Sequence, residues 1–272
     1  MKITFIGGGN MASAMIGGMV KRGFTGRQIH VVDPDATRRT HLENEFGIST
    51  AEPGAPLPAS DAVIFAVKPQ QFRAVAEAVA PSLGNALVIS VAAGIRAETL
   101  AQWFAPQPRI VRVMPNTPAL IQSGMSGVYA APAVTADDRE LTERILSAIG
   151  EFVWVDDETD MDGITAISGS GPAYVFYFME ALQAAARAQG FNPETAKKLA
   201  YQTFAGAVKL AQESEDDIAT LRAKVTSKGG TTERAINAFE NSQLRATIIA
   251  AAAAAAARSR ELGEEFGRDM EP

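Results

Sequence analysis

Lys2-Ile3-Thr4-Phe5-Ile6-Gly7-Gly8-Gly9-Asn10-Met11-Ala12 runs from a β-branched stretch through three glycines into a helical pattern. The spacing is G-x-G-x-x-A, set between a strand and a helix. Gly7 permits a tight turn, Gly9 lets backbone approach a pyrophosphate, and Ala12 is small enough for the helix to pack close to the strand. A glycine turn alone says little. At the head of a strand–helix alternation it marks a dinucleotide-binding sheet, with Ile6, Gly7, Gly8, Gly9, Asn10 and Met11 as expected cofactor contacts.

That alternation continues to about residue 155. Ile3–Ile6, Ile29–Val32, 62–67, 87–91 and Ile110–Met114 read as strands, each short and apolar throughout, as a parallel sheet covered on both faces requires. Helical patterns at 11–22, Ala36–Phe46, 70–79 and Ala97–Trp103 separate them, and a helix at 136–149 with a strand at 152–155 completes the half. Repeated βαβ units imply an α/β fold, a doubly wound sheet of Rossmann type. From about residue 160 the strand signals stop. Long helices are expected at 172–189, Pro193–Glu213 and 244–262, with shorter ones at 216–225 and 233–239. Asn192-Pro193-Glu194 supplies an N-cap, a proline at the first helical position and an acid in the first turn. The expected domains are therefore 1–158, nucleotide-binding, and 159–272, all-α. An unbroken alanine run over 250–257 either reflects helix propensity alone or forms a buried helix shared between subunits; the second reading is preferred, because so little apolar volume needs enclosure.

Ligands of such sheets bind beyond the carboxyl ends of the strands. Asp33 ends the second strand, where an acid can bind the ribose hydroxyls of NAD and repel a 2′-phosphate; Arg38 and Arg39 follow and can offset that repulsion. Asp33-Pro34-Asp35 is equally readable as a turn and helix cap. Ala66-Val67-Lys68-Pro69, Ala92-Ala93-Gly94 and Met114-Pro115-Asn116-Thr117-Pro118 follow the next three strands. Small and amide side chains there suit the flat approach of a nicotinamide ring, and Lys68 suits a cofactor phosphate better than a catalytic acid or Schiff base.

A second anion site is legible at Val225-Thr226-Ser227-Lys228-Gly229-Gly230-Thr231-Thr232. Glycines and hydroxyls just before a helix can direct several N–H groups at one carboxylate or phosphate, although such clusters are commonly plain turns.

Composition narrows the chemistry. There is no cysteine, and the two histidines, His30 and His41, lie in the first fifth of the 272 residues. This leaves no thiol nucleophile and little support for a Ser-His-Asp triad or a multi-histidine metal site. A net charge of −6 gives no nucleic-acid footprint. The alanine-rich run falls short of the ~20 residues of a membrane span, and no secretory signal is visible. The expectation is a soluble, cytoplasmic protein with no nucleic-acid or membrane partner.

In order along the chain, Phe5-Ile6-Gly7-Gly8-Gly9-Asn10-Met11, Ala66-Val67-Lys68-Pro69, Ala92-Ala93-Gly94, Met114-Pro115-Asn116-Thr117-Pro118, Ser168-Gly169-Ser170-Gly171-Pro172-Ala173-Tyr174 and Thr226-Ser227-x-Gly229-Gly230-x-Thr232 resemble pyrroline-5-carboxylate reductases. The resemblance implies a Rossmann domain followed by a helical dimerisation domain, with homodimers or rings of dimers. It implies NAD(P)H-dependent reduction of a cyclic imine, 1-pyrroline-5-carboxylate, to L-proline, the last step of proline biosynthesis. The cofactor is NADPH or NADH: the family leans to NADPH, Asp33 to NADH. Expected cofactor contacts are then Asp33, Ala66, Val67, Lys68, Pro69, Ala92, Ala93 and Asn116 with the opening glycine loop. Expected substrate contacts are Ser227, Gly229, Gly230, Thr231 and Thr232. By the resemblance Thr232, bonding the ring nitrogen, is the catalytic choice, and Glu158 stands where the family carries an acid. Glu215, 12 residues before Ser227, is the other candidate for a nearby carboxylate, and both are equally readable as solvated surface acids. Lys228 departs from the proline many relatives carry. A β-hydroxyacid dehydrogenase is disfavoured, since the helix after Pro172 has no lysine before Lys197 and Lys197-Lys198-Leu199-Ala200 lacks the asparagine of that family's Lys-x-x-Asn pair. A non-catalytic nucleotide sensor would have no use for the 226–232 loop.

Overall fold

A computed structural model describes residues 1–104, 106 and 108–268; the last residues of the expected second domain, 269–272, lie outside them. Eight strands, β1 (Ile3–Ile6), β2 (Ile29–Val32), β3 (Ser49–Ala51), β4 (Ala62–Phe65), β5 (Leu87–Ser90), β6 (Ile110–Met114), β7 (Gly124–Ala130) and β8 (Gly150–Val155), form one sheet. Their spatial order is β3-β2-β1-β4-β5-β6-β7-β8, and all neighbours are parallel except β6 and β7. The chain winds outward from β1 to β3, then returns to pair β4 on the free side of β1, with Ile3 opposite Ile29 on one flank and Ala62 on the other. That reversal places the loops after β1 and β4 side by side, the switch point where open α/β sheets bind ligands.

Apolar side chains leave both faces of the sheet. On one, Phe5, Val31 and Ile64 pack with Met15, Ile16 and Met19 of α1 (Asn10–Lys21), Leu42 of α2 (Ala36–Phe46) and Ile145 of α5 (Ala136–Leu146). On the other, Ile6, Val63 and Phe65 pack with Phe72 of α3 (Pro69–Val79) and Leu100 of α4 (Ala97–Trp103). Strand residues alternate between the two cores because successive side chains point to opposite faces.

Among the described residues, close packing groups those up to Ser170 with those from Ala254 onward, and Gly171–Ala253 separately. This boundary differs from the one at 158/159 expected from the end of the strand signals. α6 (Asp160–Ile164) and a π-helical turn at Thr165–Gly169 follow the last strand but stay with the sheet. Two bonds hold them there: Ser259 Oγ donates to Asp162 Oδ1 at 2.6 Å, and Asn116 Nδ2 donates to the Ser168 carbonyl at 3.0 Å. Ser259 belongs to the distal part of α11 (Leu244–Arg268), whose Leu262 and Phe266 lie against the loop at Gly94.

The unit Gly171–Ala253 contains α7 (Gly171–Ala188), α8 (Pro193–Glu213), α9 (Ile218–Lys224), α10 (Thr231–Asn241) and the first part of α11. Asn192 caps α8 by accepting from Thr195 N at 2.8 Å, with Pro193 at the first helical position. Within this unit only Ala196 and Ala200 are buried, while Phe176, Tyr177, Leu182, Tyr201, Ile248 and Ile249 are exposed. These helices have no core of their own in one chain.

Candidate functional site

Three loops build a cleft at the switch point. Gly7 has φ +95°, and its N–H donates to the Val32 carbonyl at 2.8 Å. A Cβ on it would lie 2.7 Å from the Ala66 carbonyl oxygen, so the turn after β1 closes only with glycine against the loop after β4. Gly9 is the N-cap of α1 and provides no side-chain cap. A Cβ there would meet nothing within 4 Å, which leaves room for a ligand rather than for packing. The first N–H groups of a helix have no intrahelical acceptor, so those of Asn10 and Met11 are available to an anion in front of Gly9.

The adjoining cavity measures about 480 Å³ and is lined by Ile6, Gly7, Gly9, Asp33, Arg38, Ala66, Val67 and Lys68, with Pro53, Leu57 and Val75 along its apolar wall. Lys68 is exposed at the N-cap of α3, followed by Pro69 at the first helical position. Glycine turn, open N-terminus and apolar cavity together fit a dinucleotide. Gly8 plays a different part: a Cβ would lie 2.8 Å from Leu42 Cδ1, so it packs against α2.

Asp33 does not stand free in this cleft. It is 2% exposed, and Gly8 N–H donates to its Oδ2 at 2.7 Å while Asp35 N–H donates to Oδ1 at 2.9 Å. Arg38 Nη1 donates to both oxygens, at 3.2 and 3.0 Å, and Arg39 Nη1 donates to the Asp33 carbonyl at 2.6 Å. The turn-and-cap reading is realised at the neighbouring acid: Asp35 accepts from Thr37 N and Arg38 N and caps α2.

At the far side of the sheet, Ala92 is buried and Ala93 half-buried in the loop after β5. Asn116 uses both ends of its amide on protein: Nδ2 on the Ser168 carbonyl at 3.0 Å, Oδ1 accepting from Met125 N at 2.9 Å. It therefore ties the exit of β6 to the π-helical turn and to β7. Glu158 is likewise engaged. Its Oε1 accepts from Arg112 Nη1 and, at 2.6 Å, from Ala97 N–H at the start of α4. Arg112 is 7% exposed in the middle of β6, where burial pulls its pKa below the ordinary value and the Glu158 carboxylate pulls it back. Arg96 Nη2 and Asp162 Oδ2 stand 3.7 Å apart in the same network. As placed, Glu158 anchors α4 and the loop before it. Arg112 escapes a sequence reading, although a lone arginine inside an apolar strand is a sign that a buried acid must answer it.

The anion loop lies in the second unit. Gly229 has φ +74°, Gly230 N–H donates to the Ser227 carbonyl at 3.0 Å, and Thr226 Oγ1 donates to the Arg222 carbonyl at 2.6 Å. Gly230 caps α10 with no side-chain bond, so Thr231 and Thr232 present the open first turn. Thr232 is half-buried. Gly229 N–H is already taken, by Glu233 Oε2 at 2.7 Å. Glu233 had a signal in the sequence, an acid three positions after a helix N-cap, which reaches back to backbone as in a capping box. Glu215 is exposed in the turn between α8 and α9, beside an Asp216–Lys224 ion pair.

Family models match two stretches of the chain. A family model described as pyrroline-5-carboxylate reductase dimerisation matches residues 158–262, and one described as NADP oxidoreductase coenzyme F420-dependent matches residues 2–94. The pyrroline-5-carboxylate reductase of Pseudomonas aeruginosa is 44% identical over 98% of each chain, and pyrroline-5-carboxylate reductase 2 of Bacillus subtilis is 35% identical over 97% of this chain and 96% of its own. Among solved structures, the enzyme of Coxiella burnetii superposes with a TM-score of 0.90 at 40% identity, covering 96% of this chain and 98% of its own. The Plasmodium falciparum pyrroline carboxylate reductase, solved with NADP bound, gives 0.84 at 28% identity over 97% and 98%. The chain belongs to the pyrroline-5-carboxylate reductase family, NAD(P)-dependent oxidoreductases of the last step of proline biosynthesis.

Proposed function

We propose that this chain reduces 1-pyrroline-5-carboxylate to L-proline using two helix N-termini that lack side-chain caps, Gly9 before α1 for the cofactor pyrophosphate and Gly230 before α10 for the substrate carboxylate. That pair of open termini is the observation that carries the reading. The nicotinamide cofactor, when bound, supplies the hydride that the imine accepts at C5. Asn10 and Met11 N–H groups hold its pyrophosphate, Lys68 adds a cation, and Ala66, Val67, Ala92 and Ala93 give small surfaces against which flat groups lie.

At the second terminus the substrate carboxylate takes the N–H groups of Thr231 and Thr232 with the Ser227 hydroxyl. Gly229 and Gly230 shape the turn rather than donate, since Glu233 and the Ser227 carbonyl already hold their N–H groups. The Thr232 hydroxyl bonds the ring nitrogen; it accepts from the iminium N–H and can donate to the product amine. Glu215 favours the protonated imine, which makes C5 more electrophilic. Glu158 acts at a distance, fixing the start of α4 and the loop that carries Ala92 and Ala93. The chemistry asks the chain mainly for position and a water-poor site.

Self-association accompanies catalysis. The exposed apolar side chains of Gly171–Ala253 and the match to a dimerisation model support a homodimer, which can assemble into rings of dimers. No described helix is long and apolar enough to cross a membrane, and the reaction fits a cytoplasmic site with small-molecule partners only.

Replacing Thr232 by alanine tests the assignment. Turnover should fall by about 10- to 100-fold, as for loss of one strong hydrogen bond in the transition state, with NAD(P)H binding unchanged. Unaltered turnover in Thr232→Ala contradicts that role.

A further inference from the structure

We infer that Asp162 and Arg96 are positioning residues for hydride transfer: they clamp the loop after β5 onto the distal part of α11, and so fix the surface on which the nicotinamide lies. The inference deepens the proposed function and rests on it, because it takes Ala92 and Ala93 as that surface.

The loop and everything that holds it belong to the unit that carries the sheet. It leaves β5 at Ser90, whose Oγ accepts from Ala92 N–H at 3.3 Å, and enters α4 at Ala97, whose N–H donates to Glu158 at 2.6 Å. Between these ends the fixed points come from α11, where Ser259, Leu262, Gly263 and Phe266 recur at helical spacing on one face. A Cβ on Gly94 would lie 3.2 Å from Leu262 Cβ and 3.4 Å from Phe266 Cε2. Gly263 is buried, and a Cβ on it would lie 3.3 Å from both the Gly94 carbonyl oxygen and Arg96 Nε. Helix and loop therefore meet almost backbone to backbone, and one more methyl on either side would push them apart.

Asp162 supplies the polar half of the clamp. It is 7% exposed, and its Oδ1 accepts from Ser259 Oγ at 2.6 Å, which ties it to the same face of α11. Its Oδ2 is buried with no hydrogen-bond partner among the described residues. The charge facing that oxygen is Arg96 Nη2 at 3.7 Å, too far for a hydrogen bond but close enough for strong attraction. A buried carboxylate oxygen without a donor is costly, so the pull on Arg96 seats the end of the loop on Gly263. Pairs of this kind add little net stability, since desolvation offsets the attraction. What this pair fixes is the place of the loop.

The test compares the wild-type chain with Asp162→Asn, Arg96→Gln, their double variant and Gly263→Ala. Turnover is measured at saturating 1-pyrroline-5-carboxylate and reduced cofactor, with thermal unfolding as the folding control. Calorimetry gives the affinity for the analogue without nicotinamide, ADP-ribose for NADH or its 2′-phosphate for NADPH. In Asp162→Asn and Arg96→Gln kcat should fall about 10-fold, part of the ~100-fold that a 1 Å misplacement can cost. The double variant should fall no further than either single change, because the two residues act as one clamp. Gly263→Ala moves the loop without touching a charge: kcat should fall about 3-fold or more, while Tm holds or rises because alanine favours the helix. Affinity for the analogue should stay at the wild-type value throughout, which a general loosening of the fold would not allow. Wild-type kcat in the folded single variants, losses that add in the double variant, or an equal loss of affinity for the analogue overturns the inference. A wild-type chain that binds the analogue but shows no imine-dependent turnover overturns the proposed function, and the inference with it.

Discussion

Arg112→Met separates a structural role for Glu158 from a substrate-binding one. Arg112 and Glu158 form an ion pair at side-chain exposures of 9% and 18%. Removing one partner of a buried pair costs roughly 3–5 kcal/mol, because the other charge stays behind unanswered. Here Glu158 keeps the Ala97 N–H and some contact with solvent, so the lower end, about 3 kcal/mol, is expected. For a chain of this size ~2–4 °C of Tm accompanies each kcal/mol, so Arg112→Met should melt about 6–12 °C below the wild type. Glu158→Gln should cost less, since its amide oxygen still accepts from both donors, and the double variant should cost less than the sum of the two single changes. Thermal unfolding at fixed protomer concentration measures this, with turnover on the imine recorded in parallel. A Glu158→Gln enzyme that melts like the wild type but has lost most of its turnover would refute the reasoning and return Glu158 to the substrate.

Two glycines of the opening loop should respond in opposite ways. Gly9→Ala adds a methyl where nothing lies within 4 Å, so Tm should hold while nucleotide affinity falls at least about tenfold; unchanged affinity would remove the pyrophosphate from that position. Gly7→Ala places Cβ 2.7 Å from a carbonyl oxygen at φ +95° and should destabilise by about 1–3 kcal/mol or more, and a stable Gly7→Ala chain would contradict the geometry. His30 titrates below its ordinary value because burial disfavours the charged ring. The unfolded chain therefore binds the extra proton first, so this contribution to stability is complete above about pH 6.5 and is lost as pH falls from there through the folded pKa. The Tm difference between pH 7.5 and pH 5.5 should be larger for the wild type than for His30→Gln, and equal differences would contradict it.

The sheet was legible wherever a strand is a short unbroken apolar run. The readings of Ile3–Ile6, Ile29–Val32 and Ile110–Met114 coincide with the observed strands. β3 and β7 were not legible. Ser49-Thr50-Ala51 is too short and polar to stand out, and β7 carries glycines at 124 and 127 that break its pattern. β7 is held by its neighbours instead, pairing β6 antiparallel and β8 parallel. At Gly127 a Cβ would lie 2.4 Å from Ile164 Cγ2, a demand made by α6 that no local rule expresses.

The candidate site divides along the same line. Backbone features survive inspection, because turn, glycine and helix start are local: the Gly7–Gly9 loop and the Gly229–Thr232 loop both stand at helix N-termini as the spacing implied. Side-chain roles fare differently, because they depend on partners far away in the chain. Glu158 is held by Arg112 and Ala97, Asn116 by Ser168 and Met125, and Asp33 by Gly8 and Arg38. Each residue was visible in the sequence; its hydrogen-bond partner was not.

Oxidation of NADPH and NADH, followed at the nicotinamide absorbance with and without DL-pyrroline-5-carboxylate, tests the central claim most directly. Rapid oxidation that depends on the imine and yields L-proline is the predicted result, with the ratio of the two cofactor rates reporting what Asp33 and Arg38 do at the ribose. Tight nucleotide binding without imine-dependent turnover would contradict the account, leaving a cleft that holds the cofactor and a second anion loop with another substrate.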